Sequence, residues 1–411
     1  MGVRAKDLSV RVGSQSDRTT VAGSLTDIAV PADGDGMNAD LSLETLDTDH
    51  GNEGVLYSSV GSRNGESKSF RSFLFPNVAN LLMDNVITRD ASGDQSFLTI
   101  ESWWGTKLGA SKVKGQRRYG CIFDSFSFQI DRTGAGAPIE VDFGGWINRK
   151  QNIPTGESVP TLDFSDVLPY SSTGVKIDFV PDAAGGAYGG HVTDVRRLSV
   201  TYSNQGAVEE FQDNDSNVEL DKVWTIHTPG EASAQFEITM ALNEEEYLQL
   251  DENEEPPKGK LRVVFTHPKG ATETSGSTLT SGDQNTQTLL VDSTTGFVVG
   301  DVVYIEHPVT GFAVLPISAI VADESISVDT DTGGGTGSDS RVTLNGASGG
   351  LLTIRNMAQV LIFDRIDYRG SSAITRDGNK RVVTLTYEAA LLSGATSIME
   401  AHTYDHSNSH A

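Results

Sequence analysis

Histidine, cysteine and carboxylate spacing is where chemistry would first show. His402, His406 and His410 recur every four residues, a spacing that would put three imidazoles on one helical face and suit a metal ion. Their neighbours, Thr403-Tyr404-Asp405 and Ser407-Asn408-Ser409, are poor helix formers, and a solvated tail is predicted instead. Asp213-Asn214-Asp215-Ser216-Asn217 matches the opening of a calcium loop. Val218 then stands where the sharp turn needs glycine, and Trp224 where the bidentate glutamate belongs. Asp33-Gly34-Asp35 also fails, at Met37, which stands where a ligand oxygen is needed. Gly333-Gly334-Gly335-Thr336-Gly337 lacks the Lys-Ser/Thr pair of a phosphate loop, and no G-x-S-x-G or H-E-x-x-H is present. Cys121 is the single cysteine, which excludes an intrachain disulfide and a multi-cysteine zinc site. The expectation is a protein that is not an enzyme, with no catalytic, cofactor-binding or metal residues and no cofactor.

Charge carries more information. Lys107, Lys112, Lys114, Arg117 and Arg118 fall in one expected loop, Gly105 to Tyr119, with no acid between Ser102 and Phe123; Glu244 to Glu255 holds seven acids in twelve residues. One reading is complementary docking between copies, with these five cations on one side and Glu244 and Glu245 on the other. The other is two unrelated solvated stretches. Across all 411 residues, 31 Lys and Arg stand against 56 Asp and Glu, a net charge of −25. A chain this acidic repels a polyanion, so tight nucleic-acid binding is excluded. No apolar run reaches the roughly 18 residues of a membrane span, and Met1 to Val10 lacks an apolar signal core. Synthesis in a reducing cytoplasm, with no membrane partner, is expected.

The elements that must carry these residues are strands. With 43 Gly, 13 Pro and many Ser, Thr and Asp, the pattern is short strands joined by turns, a mainly β chain. The two halves repeat one another. Leu8-Ser9-Val10 is matched by Leu198-Ser199-Val200, and Gly65-Glu66 before Ser69 to Phe75 by Gly230-Glu231 before Gln235 to Met240. A helix follows in each half: Pro76-Asn77 opens one with Val78, Leu81, Leu82 and Val86 at helical spacing, and Asn243 with Glu246 caps the other. Next come the strands Phe97 to Ile100 and Leu261 to Phe265, then Ile122-Phe123-Asp124 and Ile362-Phe363-Asp364, each beginning a long hairpin. In the first hairpin Phe126, Phe128 and Ile130 alternate on the way out, and Ile139, Val141 and Phe143 on the return.

Matches that keep one order predict a duplicated domain. The expected boundaries are 1–150 for the first copy and 151–194 for a Pro-rich extended connection. The second copy takes 195–269 and 351–395, a small β module is inserted at 270–350, and 396–411 form a C-terminal tail.

Where helix, strand and hairpin line up, the chain resembles the tail tube (major tail) proteins of long-tailed bacteriophages. The resemblance rests on Tyr119-Gly120-Cys121-Ile122-Phe123-Asp124-Ser125-Phe126-Ser127-Phe128 and the return Ile139-Glu140-Val141-Asp142-Phe143-Gly144-Gly145. It implies two tandem β-sandwich or barrel domains, each with one short helix, in a virion protein whose copies form rings that stack into a tube. A duplicated chain would give a trimeric ring with pseudo-sixfold symmetry. The acidic composition would let DNA pass without adhering, and Asp124, Gln129, Glu140 and Asp142 are lumen candidates. The duplication and the inserted module favour a non-contractile tail with no sheath to bind, and the resemblance implies tail tip, tape-measure and terminator proteins as partners. The loops from about Gly13 to Asn38, Asp47 to Lys68 and Asp213 to Lys222 would reach between rings. The alternative is a β-rich virion adhesin or receptor-binding protein.

Overall fold

The computed structural model describes residues 8–17, 20–28, 37–39, 43–49, 55–63, 66–74, 79–87, 95–104, 114–133, 136–147, 149–153, 169–180, 195–212, 223–228, 230–241, 258–268, 277–278, 288–299, 302–307, 311–328, 351–377, 380–391 and 397–405. The first half runs β1 (Leu8–Gln15), β2 (Thr26–Ile28), β3 (Met37–Ala39), β4 (Leu43–Asp49), β5 (Val55–Arg63) and β6 (Glu66–Phe73). A π turn, Ala79–Met83, leads into the single α turn α1 (Asp84–Ile87), and β7 (Phe97–Trp104), β8 (Lys114–Asp131), β9 (Glu140–Ile147) and β10 (Arg149–Asn152) follow. Then come β11 (Val175–Val180), β12 (Val195–Ser203), β13 (Ala207–Gln212), β14 (Val223–Thr228), β15 (Ser233–Ala241) and β16 (Lys258–Pro268). The remainder is β17 (Ser277–Thr278), β18 (Thr288–Leu290), β19 (Val302–His307), β20 (Gly311–Val321), β21 (Ser325–Val328), β22 (Leu351–Ser371), β23 (Thr375–Asp377), β24 (Lys380–Ala389) and β25 (Glu400–Asp405). The chain is mainly β, built on antiparallel ladders.

Two compact units divide the chain: Met1–Phe128, Glu140–Leu168 and Thr201–Ala232 form the first, and Gln129–Ile139, Pro169–Val200 and Ser233–Ala411 the second. In the first, β1 pairs with β2 and β7, β7 with β8, β8 with β9 and β10, and β9 with β6. The alternation predicted for the long hairpin is present, with Phe126, Phe128 and Ile130 buried on β8 and Val141 and Phe143 on β9. Phe123 lies 5.5 Å from Phe143, and Phe126 stacks on Tyr202 at 5.2 Å. Leu82, Met83 and Val86 of the helical turn are fully buried, which covers apolar area that a single helical turn could not stabilise alone.

In the second unit β11 pairs with β16, β16 with β22, β22 with β24, and β24 with β15. Its core is aromatic: Phe236 meets Phe363 at 4.6 Å, and Phe179 meets Tyr387 at 5.3 Å. The inserted strands are not detached from this sheet, because β19 pairs with β20 on one side and with Leu351–Arg355 of β22 on the other. β18, β20 and β21 close a small core of Leu289, Ile317, Ile326 and Val328.

The strand order β1-β7-β8-β9-β6 of the first unit recurs as β11-β16-β22-β24-β15 in the second, and so do its irregularities. Between β7 and β8, Tyr119 and Gly120 of β8 oppose Thr99 alone, and toward β9 Asp124 has no opposite residue. Between β16 and β22, Asp364 and Arg365 oppose Lys260 alone, and toward β24 Arg369 has no opposite residue. The two bulges are thus equally spaced along each long strand. In the first unit, buried amide side chains hold the backbone groups around them. Gln15 Oε1 accepts from Gly120 N at 2.7 Å, Asn85 Oδ1 accepts from Phe123 N at 3.1 Å, and Gln95 Nε2 donates to the Phe123 carbonyl at 3.1 Å. Gly120 has φ of 64°, a left-handed conformation that glycine takes at little cost. A Cβ on Gly145 would collide with the Ile122 carbonyl at the crossover.

Several expectations shift. Aligned on the bulges, Ile122-Phe123-Asp124 corresponds to Asp367-Tyr368-Arg369 and not to Ile362-Phe363-Asp364. Leu198-Ser199-Val200 lies on β12, whereas the strand beside β16, in the place β1 takes beside β7, is β11. β11 comes from the stretch expected as a connection, with Val175, Ile177 and Phe179 buried. Of the expected loops, Gly13 to Asn38 contains β2 and Asp47 to Lys68 contains most of the β4–β5 hairpin. The expected tail contains β25, which fills the edge of β22 left open where β24 ends, pairing Val360 with His402. His406 and His410, the loop Asp213 to Lys222 and the second predicted helix, Asn243 to Leu250, lie outside the described residues.

Candidate assembly surface

The predicted basic cluster divides. Lys107 and Lys112 lie outside the described residues, as do Glu244 and Glu245. Lys114, Arg117 and Arg118 belong to β8 rather than to a loop. The reason is Glu101, one residue before the acid-free stretch. Arg117 Nε donates to Glu101 Oε1 at 2.6 Å and Trp103 Nε1 to Glu101 Oε2 at 3.0 Å, which satisfies both oxygens of a carboxylate only 2% exposed. Arg118 is itself buried and donates from Nη1 to Ser102 Oγ at 3.1 Å. These two cations are spent inside the first unit.

Glu101 is part of a longer row. In the ladder Asp27 faces Arg11, Arg11 faces Glu101, and Glu101 faces Arg117, so alternating charges cross β2, β1, β7 and β8 on one face. Arg11 Nε lies 2.9 Å from Asp27 Oδ1, and its Nη2 donates to the Leu25 carbonyl at 3.0 Å. A one-residue slip of any strand would break the row, so the row fixes register as well as satisfying charge.

The lumen candidates of the first unit lie off the core face. Glu140 is exposed at the start of β9, and two residues on Asp142 is half-exposed, its Oδ1 accepting from Arg71 Nε of β6 at 2.8 Å. Asp124 occupies the second bulge, with its carboxylate accepting from Ser125 Oγ at 3.2 Å and its carbonyl from Asn204 N at 2.8 Å. Gln129 is exposed further along β8, within the second unit. The ladder position of Arg71 and Asp142 is held in the second unit by Thr239 and Thr384, whose hydroxyls lie 2.9 Å apart. Sequence reasoning missed Arg71 and Glu101, whose pairings depend on register across distant strands.

Among the described residues no group of three or more His, Cys, Asp or Glu side chains could hold a metal ion, and no helix is long and apolar enough to cross a membrane. Buried register-fixing charge, polar strand faces and repeated ladders define a β-rich protein built on long antiparallel sheets. The phage tail tube protein family matches the chain over residues 11–306, and the chain belongs to that family. No curated protein gives a match. Membership implies a structural protein of the virion tail that assembles with copies of itself and with other tail proteins.

Proposed function

We propose that the chain is a duplicated tail tube subunit, three copies of which close a pseudo-sixfold ring, with rings stacking around a channel for DNA passage in a non-contractile tail. The observation that carries the duplication is the pair of equally spaced bulges in β8 and β22, set in the same order of neighbouring strands. A bulge is a local insertion with no reason to recur at one spacing by chance, and two per unit act as a fingerprint. Three copies of a two-unit chain supply six equivalent positions, the smallest closed arrangement that matches a sixfold ring.

The −25 charge supports passage without retention, because a wall poor in cations gains nothing from counterion release. Asp124, Gln129, Glu140 and Asp142 are the proposed channel-side residues, and Lys107, Lys112 and Lys114 against Glu244 and Glu245 a proposed inter-subunit contact. Electron microscopy of the purified protein tests the reading. Rings with six lobes and threefold averaging, stacking as concentration rises, are the expected result. Particles that never form rings at high concentration overturn it.

A further inference from the structure

The turn of the β23–β24 hairpin contains an arrangement that the fold leaves unresolved. Arg376 and Arg381 are directly opposite one another in the ladder, both exposed, and like charges in that position destabilise a strand pair. The one carboxylate in this turn, Asp377, is already engaged, its Oδ2 accepting from Arg196 Nη1 at 2.9 Å. Among the described residues neither Arg376 nor Arg381 meets a carboxylate. Ile374 beside them is 44% exposed. Two exposed arginines paired across the ladder beside an apolar neighbour offer a carboxylate two guanidinium forks, whose binding would offset their mutual repulsion.

The corresponding hairpin tip of the first half shows what such a tip does in this fold. Residues 129–139 belong to the second unit, where Arg132 N donates to the Arg196 carbonyl at 2.8 Å, Ile139 N to the Tyr170 carbonyl at 3.0 Å, and Arg197 Nε to Asp131 Oδ2 at 2.9 Å. Ile130 and Ile139 are buried there. That tip is seated within the chain, while Ser371 to Arg376 of the second are all exposed.

We propose that Arg376 and Arg381 form a docking point for acidic side chains of a second copy of this chain, so that the second hairpin tip makes between molecules the kind of contact the first makes within one. A copy with net charge −25 offers carboxylates widely, and although two such copies repel overall, the local complementarity of sign at the arginine pair selects it as the point of contact. The inference rests on the tube reading for its geometry, but it concerns self-association itself. The test compares the full chain with R376E/R381E and R376K/R381K, using sedimentation velocity over a concentration series, electron microscopy, and circular dichroism to check folding. The expected result is self-association weakened about 10- to 100-fold in the folded glutamate variant and largely kept in the lysine variant.

Unchanged association of R376E/R381E overturns the proposal, whether or not rings form. Association lost in that variant, with no rings from the unaltered chain, supports this contact and overturns the tube reading. An unaltered chain that stays monomeric at every concentration overturns both. Binding of a short DNA duplex that disappears in R376E/R381E while self-association persists assigns the pair to phosphate instead, and also overturns the proposal.

Discussion

The two units solve one folding problem with different chemistry at corresponding places. Across β1, β7 and β8 the first unit sets Arg11, Glu101 and Arg117 in a row; across β11, β16 and β22 the second sets Asp178, Arg262 and Ile362. In residue type the first two positions are reversed in sign, and the third is apolar. Arg262 is buried, as Glu101 is. One flanking sheet position holds an exposed ion pair, Arg71 with Asp142, where its counterpart holds two threonines. Strand order and bulges persist while the side chains that satisfy them change. The ladder is therefore the constrained quantity, and any side-chain set that meets its polar demand is acceptable.

This comparison can be broken most sharply at Glu101. E101L leaves Arg117 beside a vanished partner, and unfolding in denaturant should show a loss of about 3–5 kcal/mol. The double variant E101L/R117L, which brings the apolar third position of the second unit into the first, should recover most of it. A double no better than the single would mean that the row is not the origin of the cost. Next in size is Asn85, whose replacement by alanine strips the Phe123 amide at the second bulge. A loss of about 1–3 kcal/mol is expected for a buried group left unsatisfied, measured by the same unfolding curves.

R71T/D142T copies the threonine pair of the second unit into the first. It should change stability by less than about 1 kcal/mol, since an exposed ion pair contributes little; a larger loss in a double-mutant cycle would give that pair a role beyond sheet stability. The smallest effect is at Asp131, where hydrogen bonds from Thr133, assisted by Arg197, hold the carboxyl below its ordinary pKa. A folded-state pKa below the unfolded one means that the native chain binds fewer protons. The stabilisation is then present at neutral pH and lost as pH falls through the carboxylate range. The stability gap between the unaltered chain and D131N should close over that acidic window.

Much of the fold was legible because alternation is a local signal. Phe126, Phe128, Ile130, Val141 and Phe143 announce their burial in sequence, and so do the strands Phe97 to Ile100 and Leu261 to Phe265. Correspondence between the halves was legible only in outline. Period-two patterns match themselves at many offsets, so a shared tripeptide such as Ile-Phe-Asp fixes no register. Bulges fix it, and they leave no mark in composition. The assembly candidates were harder for the same reason. Arg117 and Arg118 looked available because their partners, Glu101 and Ser102, lie on the neighbouring strand beyond an intervening segment, and only the ladder brings them together.

The interleaving of the two units has a consequence for the order in which a ribosome delivers them. The first unit draws on Thr201–Ala232, and the second takes Gln129–Ile139 from the middle of the first. Neither can finish from an uninterrupted stretch, so the nascent chain must hold a partly built sheet while later pieces are made. β25 is made after β22, and until it arrives Met357–Ile362 of β22 keep an unpaired edge on that side. Such an edge invites pairing with a neighbouring nascent chain. Closure by Glu400–Asp405 therefore waits until well after β22 itself has been made.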